Sequence, residues 1–63
     1  MNISIELALV SKLRAYGVKC NAFDGLTTHE QRKENIRAAV HRAPADKQLE
    51  LSKTFQAAFG EVP

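Results

Sequence analysis

Residues 3–16 constrain this chain more than any other stretch. Read at roughly 100° per residue, Ile3, Ile5, Leu7, Leu9, Val10, Leu13 and Tyr16 sweep an arc of roughly 200°, interrupted by Glu6 and Arg14. A helix lying on one core needs a stripe little wider than ~100°. The wider arc calls for cover on two sides, by the chain itself and by a second surface. Strict alternation over residues 3–9 also fits a strand. From Leu9 onward the spacing is helical and ends at Gly17, a residue suited to a left-handed stop. The spacing therefore predicts a helix over about 4–16, with Glu6 near its electropositive start.

The other segments follow from their punctuation. Val18-Lys-Cys-Asn-Ala22 alternates between Gly17 and the Asp24-Gly25 turn signal, which predicts a short strand over 18–22. Thr27-Thr-His-Glu30 reads as a capping box opening a helix over 28–42. The inward face of that helix is Ile36, Ala39, Val40 and Ala43, extended by His29 and Arg32. Pro44 ends or kinks it, since proline offers no amide to Val40. A last helix over about 44–59 presents Leu51, Phe55, Ala58, Phe59 and Val62 on one side, and Gly60 stops it. The expected core is Ile5, Leu9, Val10, Leu13, Tyr16, Phe23, Leu26, Ile36, Val40, Leu51, Phe55 and Phe59.

A chain of 63 residues is one small domain, and such a chain buries only about 60% of its unfolded surface. Disulfides, a metal or oligomerisation usually make up the deficit. The single Cys20 closes no intrachain bridge, and His29 and His41 stand on different faces of one helix, so no metal set forms. Oligomerisation is left, and the expected architecture is mainly α: two to three short amphipathic helices and one short strand, in an intertwined homodimer. Its dimer or partner interface draws on Ile5, Leu9, Val10, Leu13, Tyr16, Phe55 and Phe59.

No nucleophile–base pair, carboxylate pair or cofactor motif is present, so neither catalysis nor a cofactor is expected. His29 reads as a half-buried helix residue and Cys20 as a packed small hydrophobe. Nine Lys and Arg against seven Asp and Glu give +2, too small an excess to identify a polyanion partner. Arg32, Lys33, Arg37 and Arg42 crowd one helix and form the alternative, a small DNA-binding regulator. Against it, Glu30 and Glu34 stand at i+3 spacing from Lys33 and Arg37 and cancel their field. The apolar start lacks a basic leader and holds Glu6. Its longest uncharged run, residues 7–11, is far short of the ~20 needed to span a bilayer.

The opening Met-Asn-Ile-Ser-Ile-Glu-Leu-Ala-Leu-Val, the overall length and the two amphipathic helices after Gly25 resemble a family of small lambdoid temperate phage proteins. These are encoded in the early region between the exonuclease and excisionase genes. The resemblance implies an early, non-enzymatic effector that favours lytic development. It also implies an interlocked dimer of helices with a short strand. It carries no catalytic or binding motif to map onto residues here. The apolar surplus adds the expectation that the protein acts by binding a host or phage protein, and the lone thiol and missing leader that it does so in the host cytoplasm.

Overall fold

A computed structural model describes residues 3–20 and 28–63. They form three helices, α1 (Ile3–Ala15), α2 (His29–Arg42) and α3 (Ala45–Phe59). Side-chain contacts fix their directions. Glu6 meets Arg32 near the starts of α1 and α2, and Arg42 reaches back to the Lys19 carbonyl beyond the end of α1. Tyr16 and Lys12 reach Glu50 in the first half of α3. So α1 and α2 run parallel, and α3 lies antiparallel to both, with α1 packed chiefly on α3.

The end of α1 explains the segment that follows it. Gly17 adopts φ +80°. Its amide donates to Arg14 O, and the Val18 amide donates to Leu13 O at 2.9 Å. This is the paired closure of a Schellman motif, with the expected apolar contact positions, Leu13 and Val18, both buried. The alternation that predicted a strand does place Val18 and Cys20 inward and Lys19 outward. It does not make a strand. The Val18 amide is spent on the helix end, and the carbonyls of Lys19 and Cys20 accept from Arg42 and Arg14. Among the described residues there is no strand, and residues 3–9 are helical. Asn21 and Ala22, the remainder of the expected strand, and the core positions Phe23 and Leu26 lie outside the described residues.

Helix α2 starts one residue later than the expected box. Thr28 Oγ1 accepts from the Gln31 amide at 3.2 Å, and Gln31 Oε1 accepts from the Thr28 amide at 2.9 Å. Thr-x-x-Glu and Thr-x-x-Gln overlap in the sequence, and both satisfy the pattern. The structure gives the cap to the second and leaves Glu30 to pair with Lys33 at 3.2 Å. Thr27 lies outside the described residues. Thr28→Ala should lower stability by about 1 kcal/mol, read as a shift in denaturant midpoint with unchanged slope. Glu30→Ala should do much less, which separates the two frames.

Pro44 splits the second helical stretch rather than bending it. Ala43 is extended, at φ −68° and ψ 157°, as steric conflict with a following proline ring requires. Pro44 itself caps α3 without a side-chain bond. Gln48 bridges the break by donating to the carbonyls of His41 and Ala43. At the other end Gly60 turns left-handed at φ +74°. That turn takes Val62 off the helix face, and Val62 is 71% exposed instead of joining the core.

The core is Leu9, Val10, Leu13, Val18, Cys20, Ile36, Ala39, Val40, Ala43, Leu51, Phe55, Ala58 and Phe59, with Ile5 and Tyr16 packed against it. Every expected core residue within the described set is therefore inside or against it. The radius of gyration is 10.3 Å, close to the ~11 Å of a single domain this long. Most of the wide α1 arc is covered by the chain itself. Ile3 and Leu7 stay half exposed, at 52% and 51%.

Candidate functional site

The residues expected to form an interface divide sharply by depth. Leu9, Leu13 and Phe55 are fully buried, Val10 and Phe59 nearly so, and Ile5 and Tyr16 are half-buried against them. Within one chain these seven build the core. Among the described residues, the large apolar side chains turned outward are Ile3, Leu7, Leu49 and Val62. On α1 the exposed residues Ser4, Leu7, Ala8, Ser11 and Ala15 line one side. None of them is charged. Exposed positions of α2 and α3 include the charged Glu30, Glu34, Asp46, Glu50 and Lys53.

Glu6, which interrupts the apolar arc in the sequence, is 2% exposed. Its Oε1 stands 3.5 Å from Arg32 Nε, and Arg32 Nη2 lies 3.3 Å from His29 Nδ1. The His29 ring packs on Phe59 at 5.7 Å, and Phe59 on Phe55 at 4.7 Å. A charged and aromatic chain thus joins all three helices at the end where α1 and α2 begin. A signal for it was present in the sequence. Each of two helices carries one charged residue at an inward position, and the charges are opposite. A buried carboxylate needs a compensating cation, so Glu6 and Arg32 call for one another.

The basic residues of α2 are largely neutralised. Lys33, with a side chain 15% exposed, pairs with Glu30 and with Glu61 at 3.4 Å. Arg37 pairs with Glu34 and with Glu61, and its guanidinium lies 5.6 Å from the centre of the Phe55 ring. The hydrogen bond to Glu30 raises the Lys33 pKa above its ordinary value, and the one from Lys33 lowers that of Glu61. Arg32 is held by Glu6. Of the alternative phosphate-binding set, Arg42 alone has a backbone carbonyl and no carboxylate as its recorded partner. Sequence spacing had identified the Glu30 and Glu34 pairs. Glu61 was beyond its reach, because only the antiparallel return of α3 brings residue 61 beside residues 33 and 37.

At the opposite end, Tyr16 donates to Glu50 at 2.8 Å, and Lys12 pairs with Glu50 at 3.2 Å. The hydrogen bond to Glu50 raises the Tyr16 pKa and lowers that of Glu50. Lys47 covers the Tyr16 ring at 5.1 Å from its centre. These are exposed contacts that orient α1 on α3.

Among the described residues no group of three His, Cys, Asp or Glu could hold a metal ion, and no helix is long and apolar enough to cross a membrane. The geometry offers surfaces, one uncharged and one cationic. Comparison with known protein families, with curated proteins and with solved structures finds no match.

Proposed function

We propose that this chain is a non-enzymatic regulatory module of phage origin that acts as a homodimer and favours lytic development by binding a host or phage protein. The outward side of α1 carries the reading. Over residues 3–11 it exposes Ile3, Ser4, Leu7, Ala8 and Ser11 without a charge, in a chain a quarter of whose residues are charged. Small side chains let a second helix approach closely, while Ile3 and Leu7 supply apolar area for it to cover. The resemblance in the opening residues points to the same class. The neutralised cations of α2 weigh against the DNA-binding alternative, which needs them for phosphate.

Light scattering behind size exclusion tests the assembly, and affinity capture from phage-infected cells tests the partner. Wild-type chain at micromolar concentration should elute at twice the chain mass. Ile3→Gln with Leu7→Gln alters only half-exposed side chains, so the variant should keep its helicity while losing both the dimer and the captured protein. A wild-type monomer together with capture indifferent to these two changes would overturn the reading.

A further inference from the structure

Positive charge is distributed unevenly along the bundle. Where α1 and α2 begin, the carboxylates of Glu6, Glu30, Glu34 and Glu61 hold Arg32, Lys33 and Arg37. Where those helices end, Arg14 and Arg42 both reach the backbone of residues 19–20 beside Lys19, and no carboxylate pairs with any of the three among the described residues. Arg42 Nη2 donates to Lys19 O at 2.8 Å and Arg14 Nη2 to Cys20 O at 3.4 Å. Two guanidiniums are therefore held on consecutive carbonyls, next to the exposed Lys19 side chain. Of the other charges near this end, Lys47 covers the Tyr16 ring, Glu50 is taken by Tyr16 and Lys12, and Asp46 stands exposed in the first turn of α3.

Cations at helix C-termini partly answer the helix dipole, worth about half a charge per end. Three full charges exceed what two helix ends balance. Moreover, α1 has already closed its last carbonyls through Gly17 and Val18. The first turn of α3 also begins here, and its N-cap Pro44 supplies no side-chain acceptor to the leading amides. An anion placed among Arg14, Lys19 and Arg42 relieves like-charge repulsion, and it finds donors on both guanidinium forks.

We propose that this basic end docks an acidic segment of the partner protein, with Asp or Glu carboxylates entering between Arg14 and Arg42 beside Lys19. The proposal rests on the protein-binding reading above and specifies the chemistry of the partner. A short acidic segment fits better than duplex nucleic acid. Phosphates running along the bundle would meet the exposed Glu30 and Glu34 and then Glu61, while three cations at one end reach too few phosphates for tight binding.

A hexaglutamate peptide titrated into the ¹⁵N-labelled full chain tests this at low and at near-physiological salt. Amide shifts should centre on residues 18–20 and 42–46 and weaken as salt rises. Arg14→Gln with Arg42→Gln should reduce affinity at least about tenfold. Lys19→Gln removes a charge without touching a backbone contact, and it should reduce affinity severalfold. Lys33→Gln, at the neutralised end, should leave binding within about twofold. Equal loss in Lys33→Gln, an unaffected Lys19→Gln, no binding at low salt, or tighter binding of a twelve-base-pair duplex by the same residues would each overturn the proposal. The Ile3→Gln, Leu7→Gln variant keeps the two readings separable. It should lose self-association yet bind the peptide like wild type.

Discussion

Leu13→Asp should leave the chain unfolded at room temperature, with far-ultraviolet circular dichroism losing its helical minima. Leu13 is fully buried, and it anchors the closure of α1, since its carbonyl takes the Val18 amide. An aspartate there loses the apolar transfer energy of leucine and carries an unpaired charge into the core, a loss of several kcal/mol. A domain of this length commands about 3–9 kcal/mol in total. The two least exposed cations with recorded ion pairs, Lys33 and Arg32, are already committed, Lys33 to Glu30 and Glu61 and Arg32 to Glu6, near the starts of α1 and α2. A retained cooperative melt within a few degrees of wild type would contradict the placement of α1. Ala38→Asp, at an exposed position of α2, should cost less than about 1 kcal/mol and serves as the control.

The second large effect concerns Glu6 and Arg32, and here the direction depends on how many partners are removed. Glu6→Ala leaves the Arg32 guanidinium facing the core without its carboxylate. Breaking such a pair costs about 3–5 kcal/mol when both charges are deeply buried. The Arg32 side chain is 22% exposed, and water reaching it should bring the loss toward the low end of that range. Arg32→Met alone should cost at least as much, because Glu6 is 2% exposed and has less recourse to solvent. Glu6→Met with Arg32→Met together should be nearly neutral or stabilising, since apolar side chains of similar volume carry no desolvation cost. A double-mutant cycle by urea denaturation measures all three. Additive losses would mean that the two residues are not coupled. A large coupling together with a double variant as stable as wild type would show that the pair interacts strongly without contributing net stability.

This pair also shows how local pattern and tertiary packing divide the work. Periodicity identified Leu9, Val10, Leu13, Ile36, Val40, Leu51, Phe55 and Phe59 as inward, and each is buried. Glycine and proline placed the breaks at Gly17, Pro44 and Gly60 to within a residue. Those signals are local, because a helix face and a helix stop are set by neighbours within about one turn. The depth of Glu6 is set differently. Its place depends on Arg32, twenty-six positions away, and no periodicity treats a charge as a core residue.

The same distinction separates the two surfaces. The sequence by itself determined that the chain is helical, where each helix stops and which side of α2 and α3 faces inward, because these follow from spacing and turn chemistry. It also foretold that Lys33 and Arg37 would be partnered by Glu30 and Glu34, since i,i+3 neighbours meet on any helix. Only the tertiary structure decided that residues 18–20 form no strand, since their backbone groups are taken by a helix end and two arginines. It alone brought Glu61 to Lys33 and Arg37, and Arg14 to the side of Arg42. Contacts between residues distant in the chain depend on how helices are laid against one another, and the parallel course of α1 and α2 with α3 returning between their ends fixes which charges meet and which are left over.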